Sequence, residues 1–536
     1  MKRKAMIITI LVLLIGVIAG GAYLKYLEKM SVREKRYLAA DDSVLMIGDQ
    51  EYYRGMEVDY LVNKSNENTA IIVIDDKEYE ISGSLLASNK ADCVKEQELY
   101  VLRSVTLLKD PASFEIAGFS RKGEKAVVLG YDFLNEKGEV NSYLISNGKE
   151  EGYLSSRYLA KEYYETAYDS SIYGDVYYGR GGDPTAISYY PKEEVNFKDN
   201  RMPAEVKALY LNAESIGKID EYLKVAKDSG INSFVVDIKD CYLDTQMAYD
   251  SEVTRKYAPS TSNIVNSSDD YQKAIKKLKD EGYYVIGRIT AFKDDAFAYD
   301  HQDEAITVDG EYFVYGGVKW PSIYSRLMWE YDLALAKEAV IEMDFDEIQF
   351  DYVRLPEYVP ENALLHNSYD ETPLEALCNF LSYARDELHK LDTYLSVDVF
   401  GEISGSSTTD FSCFVSAYGQ FWPAFSNIVD VISSMPYPDH FAGGSYGIKE
   451  PWANPGELME QWAKATAIAQ ANSYDKALCR TWIAAQGSDR YDIYYGEEEI
   501  RSQIEALEKA GINDGYLTWN AASNLYLYNI YKPALR

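Results

Sequence analysis

Acidic residues in this chain fall where short apolar runs stop, and chemistry is first visible there. Phe345–Pro356 reads as a strand ending on Asp351: Ile348 and Phe350 supply the buried alternation, and Pro356 has no N–H to give a ladder. The run Tyr394–Val399 carries Asp398 and is followed by Glu402, and another ends Val236-Asp237-Ile238-Lys239-Asp240. Arg288 lies in Tyr283–Ile289, and Tyr352 and Arg354 follow Asp351. Three later runs lead to Tyr437 and His440, to Trp482 and Gln486, and to Trp519 and Asn520. Carboxylates beside arginine, amides and indole rings suit a polyol, because aromatics pack on sugar faces while acids handle hydroxyls and the glycosidic oxygen.

Two carboxyl groups flanking a glycosidic bond can hydrolyse it, one as nucleophile or charge partner and one as proton donor. We expect Asp351 in the first role, held ionised by Arg354 or Arg288. For the acid/base we expect Glu402 ahead of Asp398, because its loop can lean over a bound sugar. Asp237, Lys239, Arg288, Tyr352, Arg354, Tyr437, His440, Trp482, Gln486, Trp519 and Asn520 form the expected substrate-binding set. Plainer roles stay open: Asp351 as a turn cap, Asp237 and Arg288 as a buried ion pair, Trp482 and Trp519 as filling for the top layer of a barrel.

These residues are far apart in sequence and need a scaffold that brings strand ends to one mouth. From Pro203 onward, apolar strands alternate with amphipathic stretches. The strands are Lys207–Leu211, Ser233–Ile238, Tyr283–Ile289, Glu347–Phe350, Tyr394–Val399, Val429–Met435, Ala477–Trp482 and Gly515–Trp519. The helical stretches include Ile219–Asp228, Tyr271–Asp280, Leu327–Met343, Leu374–Lys390, Pro455–Ala471 and Glu497–Ala510. About eight such units predict an α/β fold, a (β/α)8 TIM barrel over residues 203–536, with functional groups at the C-terminal strand ends. A doubly wound sheet would carry a glycine-rich phosphate loop after its first strand, and none is present.

The order of motifs is informative as a set: Val206-Lys-Ala-Leu-Tyr-Leu-Asn-Ala213, Phe234-Val-Val-Asp-Ile-Lys-Asp240, Val285-Ile-Gly-Arg-Ile-Thr-Ala-Phe-Lys-Asp294 and Phe345–Pro356. Ser396-Val-Asp-Val-Phe-Gly401, Ser434-Met-Pro-Tyr-Pro438, Arg480-Thr-Trp-Ile483 and Gly515-Tyr-Leu-Thr-Trp-Asn-Ala521 follow. Together they resemble the glycoside hydrolase domain family of DUF4015 type over roughly residues 204–530. The resemblance implies a TIM barrel distantly related to the α-amylase and α-galactosidase groups, acting on glycosidic bonds. Leu355 and Thr481 depart from the pattern, where an aromatic residue and a proline are expected.

Residues 41–98 show the turn signals and alternation of a small β unit, and residues 99–160 resemble a bacterial SH3-like domain, most clearly at Gly152-Tyr-Leu-Ser-Ser-Arg-Tyr-Leu159. That resemblance implies cell-wall contact. Residues 161–202 read as a tyrosine-rich linker. Lys2-Arg3-Lys4 precedes an uncharged apolar run from Ala5 to Leu24, so residues 1–30 predict an uncleaved transmembrane signal anchor. A single-pass protein of the cell membrane with its bulk outside is the expected location.

The sequence has 54 Lys and Arg against 86 Asp and Glu, a net charge of −32, which repels phosphate backbones and argues against nucleic acid as a partner. Five scattered cysteines and four histidines offer no CxxC or HExxH spacing, so neither metal nor cofactor is expected. The expected partner is a poly- or oligosaccharide. A barrel that binds glycans without cleaving them, and an envelope scaffold, stay open beside the hydrolase.

Overall fold

The computed structural model describes residues 32–66, 68–163, 173, 179–193 and 195–535. The chain divides into two compact units. One takes in the chain up to Arg103 with Leu107–Ser113 and Ser120–Tyr164, the other Ser104–Thr106, Phe114–Phe119 and Glu165–Arg536.

The first unit is β-rich. Thr69–Ile74 alternates buried and half-buried residues, as a strand with one covered face must, and pairs with both Glu57–Leu61 and Lys77–Ser82. Leu38, Leu45, Tyr52, Val58 and Ile72 form the core beneath that sheet. A second antiparallel sheet orders Glu151–Ser155, Ser142–Ser146, Lys125–Tyr131 and Glu98–Val101 side by side.

The second unit is built on parallel strands: β1 (Val206–Leu211), β2 (Ser233–Cys241), β3 (Tyr284–Thr290), β4 (Glu347–Asp351), β5 (Tyr394–Phe400) and β6 (Val431–Met435) pair in sequence order. The seventh position holds two short pieces, β7 (Leu478–Cys479) on β6 and β8 (Thr481–Ala484) on β9 (Gly515–Trp519). β9 returns to β1, so the ring is nearly closed. Helices cover its outside, among them α1 (Ile219–Lys227), α2 (Ser268–Asp280), α3 (Arg326–Met343), α4 (Pro373–His389), α5 (Pro455–Ala471) and α6 (Glu497–Ala510). α4 starts where the sequence says it should: Pro373 needs no N–H in the first turn, and Thr372 and Glu375 form a capping box.

The expected fold class needs correction on two counts. The single strand expected at Ala477–Trp482 is broken at Arg480, whose guanidinium is drawn across the barrel to Glu347. The expected membrane span at 1–30 lies outside the described residues, and among the described residues no helix is long and apolar enough to cross a membrane. The longest described helix, α3, carries Glu330, Asp332, Lys337, Glu338 and Glu342 along its length. The fold is α/β, a nearly closed parallel barrel with a β-rich N-terminal unit.

β4 shows how the barrel sorts its residues. The expected alternation of buried and exposed positions is replaced by burial throughout, because helices cover one face and the barrel interior the other. Phe350 points outward onto Phe380 of α4, with ring centroids 5.3 Å apart. The alternate positions 347, 349 and 351 face inward and stack in layers. Glu347 holds Arg480 at 2.8 and 3.1 Å and accepts from the Tyr284 hydroxyl at 2.9 Å; Gln349 donates to Ser433 at 3.1 Å; Asp351 tops the stack.

Gly515 opens β9 with φ of 108°, and a Cβ there would lie 2.0 Å from the Val206 carbonyl oxygen in the paired strand. Gly515→Ala is expected to destabilise the barrel by about 3 kcal/mol, from strain and forced strand separation together, as a lower denaturant midpoint with unchanged m-value reads out.

Candidate active site

The top layer is organised by one guanidinium. β3 lies between β2 and β4, so Arg288 reaches carboxylates on both sides. It donates from Nη2 and Nε to Asp351 Oδ2 at 2.7 and 3.2 Å, and from Nη1 to Asp237 Oδ1 at 2.8 Å and Asp240 Oδ1 at 3.4 Å. Burial works against its charge, but Asp237, Asp351 and Asp240 together hold the proton on more firmly than usual. Asp237 also accepts from the Tyr210 hydroxyl, and burial lifts its carboxyl to about 7 against the pull of Arg288. The other Asp351 oxygen accepts from the Tyr352 N–H at 2.6 Å. Tyr352 has φ of 54°, a left-handed conformation that costs a non-glycine residue roughly 1–3 kcal/mol and turns the chain sharply off the strand end.

Arg288→Met is expected to cost roughly 3–5 kcal/mol in chemical denaturation, because buried carboxylates lose their counter-charge without regaining water. Surface pairs such as Lys276–Asp280, with both side chains more than half exposed, set the contrast: their removal moves stability by well under about 1 kcal/mol.

Asp398 stands beside Asp351. The β4–β5 register pairs Phe350 with Val397, so the next step brings Asp351 level with Asp398 on neighbouring strands about 4.8 Å apart. One Asp398 oxygen, Oδ1, accepts the Trp482 indole N–H at 2.7 Å, while Oδ2 is buried with no hydrogen-bond partner. Burial, reinforced by the charge of Asp351, pushes the Asp398 carboxyl well above the ordinary range, which favours its protonated form, whereas Asp351 faces Arg288. The same two residue types thus occupy opposite electrostatic environments.

A cavity of about 390 Å³ opens above this layer. Of the residues expected from sequence, Asp351, Asp398, Arg288, Tyr352 and Arg354 line it, as do Tyr437, His440, Trp482 and Trp519. Tyr437 and Trp519 stack at 5.9 Å and 24°, and Trp519 stays half-buried, its face available to a ligand. Trp482 is fully buried, edge-on to Trp519, and serves Asp398. Five expected residues are elsewhere. Glu402 is exposed in the turn after β5 and accepts from Tyr418 at 2.6 Å. Lys239 is fully buried between Asp294 and Asp332, at 2.8 Å from each. Asp237 sits beneath the cavity on Arg288 and Tyr210. Gln486 accepts from the Ala521 N–H at 2.8 Å, and Asn520 ties Ala485 to Asn524.

Tyr210, Asp240, Lys293, Tyr242, Phe400 and Met435 also line the cavity and were not in the expected set. Asp240 is the last residue but one of β2, which ends at Cys241, and Lys293 lies three residues past β3, so nearness to strand ends was a signal for both. Tyr242 and Met435 carried none. Among the described residues no group of three or more His, Cys, Asp or Glu side chains is arranged to hold a metal, and all five cysteines are free and buried.

A barrel with a paired-carboxylate mouth agrees with the comparison to known families. The family model described as "Putative glycosyl hydrolase domain" (DUF4015) matches residues 208–526, more than half of the chain. The chain belongs to this family. Among solved structures, a hypothetical protein from Ruminiclostridium thermocellum ATCC 27405 is 30% identical over 36% of this chain and 97% of its own, with a TM-score of 0.31. The PgaB (BpsB) glycoside hydrolase domain from Bordetella bronchiseptica is 14% identical over 60% of this chain and 95% of its own, with a TM-score of 0.44. Alpha-L-fucosidase isoenzyme 2 from Paenibacillus thiaminolyticus is 11% identical over 62% and 49%, with a TM-score of 0.41. No curated protein matches the sequence.

Proposed function

We propose that the barrel hydrolyses O-glycosidic bonds of a carbohydrate with Asp351 as nucleophile and Asp398 as acid/base. The observation that carries this reading is the buried Asp398 Oδ2, without a hydrogen-bond partner among the described residues and level with an Asp351 gripped by Arg288. Asp351 attacks the anomeric carbon as Asp398 gives its proton to the departing glycosidic oxygen. The glycosyl ester on Asp351 is then opened by water, whose proton returns to the Asp398 carboxylate, restoring both groups. Trp519 offers a face for the sugar ring, and Tyr352 aims the nucleophile through its backbone N–H.

Neighbouring-strand spacing of about 4.8 Å supports the close pair of a retaining enzyme, whose carboxyls stand ~5–5.5 Å apart, over an inverting pair that leaves room for water. The test is a panel of oligosaccharides and aryl glycosides with product anomers followed by proton NMR. Product with retained configuration, lost in Asp351→Asn and kept in Asp439→Asn, supports the reading. Asp439 lies outside the cavity on Ser488 and serves as the control acid. Inverted product, or cleavage that survives Asp351→Asn, overturns it.

A further inference from the structure

One corner of the cavity brings two cations close together. The loop after β3 is tied to the end of β4 by backbone bonds, Ala291 N–H to the Asp351 carbonyl at 2.8 Å and Phe292 N–H to the Tyr352 carbonyl at 3.3 Å. Lys293 follows and lines the cavity at 9% exposure, its Nζ 4.7 Å from the centre of the Tyr352 ring. The Arg354 guanidinium stands 4.9 Å from the centre of the same ring and 4.5 Å from that of Phe400. Two buried cations therefore share one aromatic ring, which partly offsets their charge.

Carboxylates act on Lys293 only from a distance. Among the described residues none forms an ion pair with Lys293, and the acids it feels, Asp240 and Asp351, are both bound to Arg288. Arg354 donates to the Leu355 carbonyl at 2.9 Å and pairs with Glu357 at 3.3 Å, a carboxylate nearly half exposed to solvent. Lys239, by contrast, meets two buried aspartates at 2.8 Å, which is how this fold treats a lysine whose role is internal. Burial, aided by the neighbouring Arg354, pushes the Lys293 ammonium below its usual value, and the charges of Asp240 and Asp351 offset this only in part. The corner thus brings Lys293, which has no ion-pair partner among the described residues, and Arg354 to the cavity wall beside aromatic faces.

We infer that Lys293 and Arg354 form a subsite for the carboxylate of an acidic sugar, so that the substrate is a uronic-acid-containing glycan. The inference rests on the hydrolase reading only in placing a sugar in this cavity. A carboxylate would give Lys293 the close charged acceptor that it lacks among the described residues, with Arg354 as a second cation nearby.

The experiment is calorimetric titration of the full chain with glucuronate and galacturonate, each against its neutral hexose, at fixed ionic strength. At least one uronate is expected to bind about tenfold or more tightly than its hexose, the scale of a charged hydrogen bond. Lys293→Met is expected to abolish that preference and Lys293→Arg to keep it. The melting temperature of Lys293→Met is expected to stay level or rise, since an unpaired buried charge is removed. Uronates no tighter than hexoses, or a preference that survives Lys293→Met, overturns the subsite. Monosaccharides present no bond to cleave, so this result stands or falls apart from hydrolysis. Uronate-containing oligosaccharides cleaved equally by wild type and Lys293→Met would leave the hydrolase reading intact and the subsite refuted.

Discussion

Asp351→Asn is expected to lower hydrolysis by roughly 10⁴-fold or more, with no recovery on substrates whose leaving group needs no proton. The amide can still accept from the Tyr352 N–H, so the turn off β4 is kept, but it cannot form the glycosyl ester. Arg288 loses a charged partner and keeps Asp237 and Asp240, so the stability loss is about 1.5–3 kcal/mol and the protein stays folded at room temperature. Single-turnover assays on a 2,4-dinitrophenyl glycoside, beside circular dichroism of the same sample, separate chemistry from folding. A variant retaining more than about a hundredth of wild-type rate would remove Asp351 from the reaction.

Asp398→Asn should behave differently on each axis. Loss of a general acid costs ~10²–10⁴-fold on an unactivated glycoside, and most of that returns with dinitrophenolate, which leaves without a proton. Its effect on stability follows from linkage. The unfolded carboxyl ionises near the ordinary 3.8, whereas folded Asp398 keeps its proton well above that value. Between those points the native state binds more protons than the unfolded state, so wild-type stability falls as pH rises above 3.8, by up to ~1.4 kcal/mol per unit for this group. Asparagine has no proton to lose, so the variant should show a shallower decline and a melting temperature equal to or above wild type at neutral pH. Thermal scans from pH 4 to 8 read this directly, and a steeper decline in the variant would contradict the burial argument.

Strand positions in the barrel were legible because each carries an apolar run too short for a helix and is bounded by helical periodicity. β9 and α5 fall on their expected bounds, and β4 differs by a single residue. The break at Arg480 was not legible, because Glu347 on another strand draws that arginine inward and no local pattern records it. Around the cavity, strand position anticipated that Asp351, Asp398 and Arg288 would come together. It failed for Glu402 and Asn520, since a residue after a strand points where the next turn sends it: Glu402 went to Tyr418, and Asn520 to Ala485 and Asn524. Lys239 looked like a mouth residue and proved internal because Asp332, its partner, comes from helix α3. Trp482 was expected as a sugar platform or a filler and instead donates a hydrogen bond to Asp398. Partner choice across the barrel is a three-dimensional property, which spacing along one strand does not encode.

The left-handed turn at Tyr352 gears two properties of the site together. Its amide donates to Asp351 while its ring lies against Lys293 and Arg354, so on the proposed roles one backbone torsion bears on both bond breaking and the charge of what is bound. A lineage drifting toward a new substrate would have little freedom at this tyrosine, because any change of ring position would also swing Asp351. The open route is exchange of the cations themselves: Lys293 and Arg354 can be replaced while the turn keeps its shape. Selectivity is adjustable at the periphery of the ring, and reactivity is locked at its hinge.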